Sequence, residues 1–336
     1  MRILVADRLP ERFVEAMRTR GHHCEVDAGL TETSLPGSMG GVEVLVVRST
    51  RVAAGAFAAS DSLRLVVRAG SGTNTIDCDE ATRTGVLVAN VPGRNSLAVA
   101  ELTLGLLLAV DRAIPDNTSE LRAGRWDKRR FSAVGRGLYG RSLGVVGLGS
   151  IGLAVAERAA GFGMQLLAQA KSSRSPGVSA RIADLGIELV PDLVTLASRV
   201  DVLSLHVPLK AETRGMVDAD VLDALQPGIL LNTSRADVVD ADALLARLNA
   251  GGLSAGLDVF PDEPGSGTAT WHSPLAAHPR VVGTHHIGAS TQQAQEAVVD
   301  GVGEIIAAFD RGQLLNVVNN VTQDSGRPVA ESRAPR

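Results

Sequence analysis

Four stretches of this chain place polar residues at the end of short apolar runs that read as β-strands. His206 follows Val202–Leu205, and Asn232, Thr233, Ser234 and Arg235 follow Gly228–Leu231. Asp258 is read on a strand at Gly256–Val259, with Glu263 and Pro264 just beyond it, and Thr284, His285 and His286 follow Arg280–Gly283. Ligands of an open α/β sheet sit at the carboxyl ends of its strands. An arginine, carboxylates and histidine are therefore expected on one rim. Such a set suits hydride transfer at a hydroxyl-bearing carbon. A base must take the hydroxyl proton as the hydride leaves, and imidazole titrates in the working range. A carboxylate beside the imidazole favours its protonated form and fixes its tautomer; an adjacent opposite charge moves a pKa by roughly 1–3 units. A guanidinium can hold a carboxylate or polarise a carbonyl.

A second motif supplies the other half of that chemistry. Gly147-Leu148-Gly149-Ser150-Ile151-Gly152 follows the apolar run LGVV and opens a helical stretch, the context in which GxGxxG binds a dinucleotide. Gly147 permits the tight turn, Gly149 lets a pyrophosphate approach the backbone, and Gly152 lets helix and strand pack closely. The helix N-terminus offers free N–H groups and a partial positive charge. The next strand should end in an acid for the ribose 2′-hydroxyl, roughly 20 residues after the first glycine. Here the chain reads Gln169-Ala170-Lys171-Ser172-Ser173-Arg174, without an acid. Lys171, Ser172 and Arg174 suit a 2′-phosphate instead. The expected cofactor is NAD or NADP, with NADP favoured.

The elements that must position these residues alternate between strand and helix. Arg2–Ala6, Cys24–Val26, Val42–Arg48, Leu63–Arg68 and Val86–Ala89 read as strands, with a helix at Glu11–Arg20. A second series has strands at Leu143–Val146, Gln165–Ala168, Val202–Leu205, Gly228–Leu231, Gly256–Val259 and Arg280–Gly283, and a helix at Ile151–Phe162. Almost wholly apolar strands are those of parallel sheets covered on both faces. The pattern predicts α/β architecture with two doubly wound parallel-sheet domains, Rossmann-like and flavodoxin-like, and a cleft between them. Leu97–Val110 reads as a buried helix between the two series, and Thr291–Arg311 as a helix that returns the chain to the first. The expected boundaries are 1–96 with 290–320 for a substrate-binding domain, 97–289 for the dinucleotide-binding domain, and 321–336 for a flexible tail.

Composition narrows the partners. The chain has 336 residues, with 33 basic and 37 acidic side chains and a net charge of −4, so no electrostatic excess points to nucleic acid or an anionic membrane. Its two cysteines, Cys24 and Cys78, make neither a disulfide framework nor a zinc set, and a reducing cytoplasm fits them. No HExxH or paired-cysteine spacing occurs, so no metal site is expected. His22 and His23 are read as exposed, and His272 and His278 as loop residues. MRILVAD meets Asp7 too early for a signal peptide, and Leu97–Val110 contains Glu101 and is too short to span a bilayer.

Over nearly its whole length the chain resembles the D-isomer-specific 2-hydroxyacid dehydrogenase family. The matching stretches are VVRST (46–50), RAGSGTNTID (68–77), NSLAVAELTLGLLL (95–108), VGLGSIG (146–152), HVPL (206–209), NTSRADVVD (232–240), GLDVFPDEP (256–264) and HHIGAST (285–291). The resemblance implies that His286 is the acid–base, Glu263 its partner and Arg235 the residue that orients the substrate carboxylate and carbonyl. It places Asp258 near the nicotinamide amide, the Ser71-Gly72 backbone on the carboxylate, and Arg48 and Ser49 at the phosphate end of a phosphorylated substrate. Candidate cofactor contacts are then Gly147, Gly149, Ser150, Ile151, Gly152, Lys171, Ser172, Arg174, His206, Thr233 and Asp258. The resemblance also implies a homodimer formed through the cofactor domain.

Three positions depart from the family pattern: Ala170 replaces the ribose-binding acid, His285 replaces a proline, and Ala236 replaces a glycine. The regulatory domain of some relatives is not expected. The leading expectation is oxidation of a 2-hydroxy acid bearing a distal anion, 3-phosphoglycerate first, with Lys128-Arg129-Arg130 a further basic cluster. A glyoxylate or hydroxypyruvate reductase, or a reductase of a phosphonate such as phosphonopyruvate, is the alternative. A dinucleotide-sensing binding protein fits less well, because Arg235, Glu263 and His286 are all retained.

Overall fold

The structure is a computed structural model that describes residues 1–225, 227–264 and 268–321. The expectation for the tail beyond residue 321 lies outside the described residues. The chain divides into two compact units, Met1–Asn95 with the segment from Ser290 onward, and Ser96–Ala289.

The first unit is built on β1 (Arg2–Val5), β2 (His23–Val26), β3 (Val44–Val47), β4 (Leu65–Arg68) and β5 (Leu87–Asn90). All neighbours are parallel, in the order β2-β1-β3-β4-β5. The strands are apolar at successive positions because both faces are covered. Ile3, Val5, Val44 and Val46 face Phe13 and Met17 of the helix Glu11–Thr19 and Val302, Ile305 and Ile306 of the helix Gln292–Asp310. Leu4, Leu45 and Val47 face the other way, against Leu35, Met39 and Phe57. Each such side chain contributes roughly 1.5–3 kcal/mol when fully buried.

The second unit holds β6 (Ser142–Val146), β7 (Gln165–Gln169), β8 (Glu188–Val190), β9 (Val202–Leu205), β10 (Gly228–Asn232), β11 (Leu253–Leu257) and β12 (Val281–Gly283). Its order is β12-β11-β10-β9-β6-β7-β8, again parallel throughout. The strand order reverses between β6 and β9, which sets a ligand crevice at their carboxyl ends. The register Val146↔Leu205 brings Gly147 beside His206. The helices Ser96–Asp111 and Ser150–Gly161 bury Leu104, Leu107, Val155 and Ala159 in the core on one face.

Two expectations are corrected, and one element was missed. β11 spans Leu253–Leu257, so Asp258 stands one residue past the strand rather than on it; its N–H still donates to the Asn232 carbonyl at 2.9 Å. His22 is buried, 8% exposed, beside the chain's N-terminus, while His23 is exposed in β2. Burial, then the positive N-terminus, lowers the His22 pKa. The short strand β8 was not read from the sequence.

Candidate active site

The glycine turn has the shape a dinucleotide needs. Gly147 has φ +97°, and a Cβ there would lie 2.5 Å from the His206 carbonyl oxygen. A Cβ on Gly152 would overlap the Gly147 carbonyl oxygen, so only glycine allows the helix to start this close to β6. Gly149 differs: a Cβ there would meet nothing within 4 Å. That open space lies at the start of a 12-residue helix whose N-terminus no side chain caps, and Ser150 is exposed in its first turn while Ile151 is half-buried. Uncapped N–H groups and a backbone open to approach fit a pyrophosphate.

At the end of β7, Lys171 and Ser172 are exposed and Arg174 is half-buried. Arg174 donates to the Gln169 carbonyl at 2.5 Å, which folds its guanidinium back over the end of the strand. Ser175 caps the next helix, Pro176–Asp184, by accepting from the Val178 N–H. The cations thus sit on a short loop between two fixed ends.

His206 and Thr233 are more committed to the protein than the sequence suggests. His206 Nε2 lies 2.7 Å from the Oγ of fully buried Ser204, and its Nδ1 is buried without a hydrogen-bond partner among the described residues. Burial pushes the His206 pKa down to about 3, so the ring is neutral under any working condition. Thr233 shares a hydrogen bond of 2.9 Å with Thr103, whose hydroxyl also donates to the Val99 carbonyl. Neither Ser204 nor Thr103 stood out in the sequence, because a lone hydroxyl inside an apolar run carries no motif.

The rim after β10, β11 and β12 holds the charged residues. Glu263 and His286 form a hydrogen-bonded ion pair through Oε1 and Nδ1. The carboxylate can only accept, so Nδ1 carries the proton and Nε2 is left to face a reactant. Glu263 Oε2 accepts from the Phe260 N–H at 3.0 Å, which fixes the carboxylate. The His286 pKa is raised: the Glu263 hydrogen bond leads, burial opposes it, the Glu263 and Asp258 charges add, and Arg235 subtracts. Burial alone would raise the Glu263 pKa, but the hydrogen bonds from His286 and Phe260 and the charges of His286 and Arg235 bring it below its ordinary value. Arg235 is half-buried; one guanidinium nitrogen donates to the Ser234 carbonyl at 2.6 Å, and Asn232 Nδ2 holds the Arg235 carbonyl at 2.9 Å.

His286 adopts φ +52°, a left-handed conformation uncommon outside glycine. Such strain costs on the order of 1–3 kcal/mol and must be offset by the surroundings. Asp258, 1% exposed, supplies that offset. Its Oδ1 accepts from the Thr284 hydroxyl at 2.6 Å and the Ile287 N–H at 2.9 Å, and its Oδ2 from the Gly288 N–H at 2.9 Å. Hydrogen bonds to a charged group contribute roughly 1.5–3 kcal/mol each. Asp258 therefore clamps both sides of His286. Its neighbour His285 is exposed.

In the first unit, the backbone N–H groups of Arg48 and Ser49 are bonded to Asp7. Ser71 Oγ lies 3.3 Å from Asn95 Oδ1, and the Ser71 carbonyl accepts from Asn90 Nδ2 at 2.6 Å; Gly72 follows, half-buried. In the second unit, Lys128, Arg129 and Arg130 lie on the short helix Lys128–Ser132, where Arg130 pairs with Glu120 at 3.7 Å. Among the described residues no group of His, Cys, Asp and Glu could hold a metal ion, and no helix is long and apolar enough to cross a membrane.

A parallel sheet with an open glycine turn at its reversal point and a charged rim beyond it has the form of a dinucleotide-binding unit. Residues 104–288 match the D-isomer specific 2-hydroxyacid dehydrogenase NAD binding domain, and the chain belongs to that family. It is 39% identical over 331 residues to D-3-phosphoglycerate dehydrogenase of Methanocaldococcus jannaschii, covering 96% of this chain and 61% of that protein. This chain thus spans about three-fifths of that relative's length. Among solved structures, the TT0316 protein of Thermus thermophilus is 33% identical with a TM-score of 0.83, covering 95% of this chain and all of that one. An NADPH-dependent glyoxylate/hydroxypyruvate reductase of Sinorhizobium meliloti is 31% identical with a TM-score of 0.81, covering 94% of this chain and 97% of that one.

Proposed function

We propose that the protein is a nicotinamide-dependent oxidoreductase that interconverts D-2-hydroxy acids and 2-keto acids, with 3-phosphoglycerate as its leading substrate. The observation that carries the reading is the Glu263–His286 pair, held by Asp258 and felt electrostatically by Arg235, on the sheet that bears the open glycine turn. Gly147, Gly149, Ser150, Ile151 and Gly152 would hold the pyrophosphate, with His206, Thr233 and Asp258 lining the rest of the dinucleotide. When bound, the nicotinamide accepts or returns the hydride.

The chain's own residues do the remainder. His286 Nε2 takes the proton of the substrate hydroxyl during oxidation and returns it to the carbonyl oxygen during reduction. Glu263 stabilises the imidazolium formed in between, and Arg235 holds the carboxylate and polarises the carbonyl. Arg48, Ser49, Ser71 and Gly72 are proposed as contacts for the substrate's anionic ends. The relatives named phosphoglycerate dehydrogenase support the choice of substrate.

One observation favours a second reading, an NADPH-using glyoxylate or hydroxypyruvate reductase. The loop after β7 carries Lys171, Ser172 and Arg174 and no acid, as a 2′-phosphate site requires. A turnover panel decides between them, crossing both nicotinamide cofactors with 3-phosphoglycerate, hydroxypyruvate, glyoxylate and phosphonopyruvate. The first reading expects the highest kcat/KM with 3-phosphoglycerate; turnover of none of the four acids rejects both. A preference for NADH of about tenfold in Kd, about 1.4 kcal/mol, rejects the 2′-phosphate site.

The reading includes a homodimer formed through the second unit, where Leu97, Leu121, Trp126 and Tyr139 are exposed apolar side chains. A reducing cytoplasm is the proposed compartment, consistent with two cysteines that are both unpaired.

A further inference from the structure

Asp7 stands two residues past β1 and gathers the loop that follows β3. One carboxylate oxygen, Oδ2, accepts from the backbone N–H groups of Arg48 at 2.6 Å, Ser49 at 3.1 Å and Thr50 at 3.1 Å. The Thr50 hydroxyl donates to the Ala6 carbonyl at 2.9 Å. Two residues on, the Val52 N–H donates to the Thr75 carbonyl at 2.8 Å, and the Asp77 N–H donates to the Val52 carbonyl at 2.9 Å. The loops after β1, β3 and β4 are thereby one hydrogen-bonded assembly.

Successive backbone N–H groups aimed at one point form an anion-binding nest. This one lies at the carboxyl ends of β1 and β3, where the strand order reverses and an open sheet usually takes its ligand. The chain's own carboxylate already fills it. An incoming phosphate would have to displace Asp7 from three charge-assisted hydrogen bonds before it could use those donors. The side chains on the same loop remain available: Ser49 is exposed, and no hydrogen bond or ion pair engages the half-buried Arg48 guanidinium among the described residues.

We propose that Asp7 is a positioning residue for the substrate's distal anion. It fills the nest, fixes the backbone of residues 48–50, and leaves the anion to the side chains of Arg48 and Ser49. This inference rests on the reading of a 2-hydroxy acid with an anionic tail.

The test compares Asp7→Ala and Asp7→Asn with the wild type, using 3-phosphoglycerate and D-glycerate, which is the same acid without the phosphate. Misplacing a binding group costs up to roughly a hundredfold, so Asp7→Ala should raise KM for 3-phosphoglycerate by about tenfold or more. It should leave kcat within about twofold, as expected when only binding is lost. KM for D-glycerate and Kd for the dinucleotide should stay at their wild-type values. Asp7→Asn keeps an acceptor oxygen and should recover most of the loss. Hydrogen exchange should show the amides of residues 48–50 losing protection in Asp7→Ala and keeping it in Asp7→Asn. Should Asp7→Ala not fold, Asp7→Leu, which also lacks an acceptor, takes its place with the same expectations.

An unchanged KM, equal damage to both acids, or an Asn variant as poor as the Ala variant overturns the inference. A wild type that does not favour 3-phosphoglycerate over D-glycerate overturns the substrate reading and, with it, the anion role. The exchange measurement then decides on its own whether Asp7 orders the loop.

Discussion

In the first unit the strand order reverses between β1 and β3, and in the second between β6 and β9. Each reversal opens a crevice at the carboxyl ends of two parallel strands, and each crevice presents backbone N–H groups. In the second unit the residue after β6 is Gly147, and Gly149 leaves open space before an uncapped helix. In the first unit the second residue after β1 is Asp7, and its carboxylate takes the three N–H groups on offer. The shared winding does not decide what binds; the residue types placed after the first strand do. A glycine there admits a dinucleotide's phosphates, whereas an acid spends the same donors inside the protein and leaves recognition to side chains. On this view the second unit carries the cofactor and the proton transfer, and the first carries the substrate's tail.

The strongest way to break that division is to remove the acid–base. His286→Ala should lower kcat by roughly 10²–10⁴, the span of general acid–base catalysis. Dinucleotide Kd should stay within about twofold, because the turn at Gly147–Gly152 is untouched. Stopped-flow turnover and fluorescence titration of NADPH read the two quantities separately. Equal loss of both would make His286 a structural residue and leave the second unit without a base.

The elements behind this reading were largely legible in the sequence. The glycine turn, its flanking strand and helix, and the charged residues after β10 and β12 are local signals, and the structure places them as the periodicity predicts. What was not legible depends on contacts between distant parts of the chain. Asp7 read only as an acid that interrupts an apolar N-terminus; its partners lie 41 to 43 residues away. His22 read as exposed because a histidine doublet has no periodicity, yet it packs against the N-terminus. Asp258 read only as a residue near the nicotinamide; that its carboxylate also ties down Thr284, Ile287 and Gly288 has no local signal, because those partners lie 26 to 30 residues away. β8 escaped notice because only Val190 of its three residues is buried, so it carries almost no apolar signal.

A second experiment sharpens the contrast at the crevice itself. Gly149→Ala adds a methyl group where no atom beyond its own residue and chain neighbours lies within 4 Å, at a φ of −80° that alanine adopts freely. It should leave Tm within about 1 °C, since unstrained Gly→Ala changes are neutral or mildly stabilising. Dinucleotide Kd should rise by roughly a hundredfold, about 2.7 kcal/mol, because the methyl group occupies the pyrophosphate's approach. Gly152→Ala should do the reverse in kind: the added carbon overlaps the Gly147 carbonyl, so Tm itself falls. Overpacking of this sort costs typically 1–3 kcal/mol. Should Gly149→Ala bind dinucleotide normally, the open space at that turn is not the phosphate site.

The smallest effect expected is in the pH profile, and it separates the units most cleanly. His286 has a pKa above its ordinary 6.5, through the Glu263 hydrogen bond first. Oxidation needs the neutral ring, so kcat/KM for the hydroxy acid should climb with pH and level off past a midpoint above 6.5. Reduction needs the imidazolium and should fall through the same midpoint, which belongs to the Glu263–His286 pair rather than to either group alone. Stability follows the same signs. The raised His286 pKa contributes below 6.5 and is lost as pH rises through the folded value. The lowered Glu263 pKa contributes above 4.5 and is lost as pH falls through the folded value. The pair therefore helps most between those two limits, and only modestly, because both side chains are partly exposed. Glu263→Gln should move the kinetic midpoint down toward or below 6.5, while Asp7→Ala should leave it in place. A midpoint that moves with Asp7 but not with Glu263 would assign the titrating group to the first unit and reverse the division of labour.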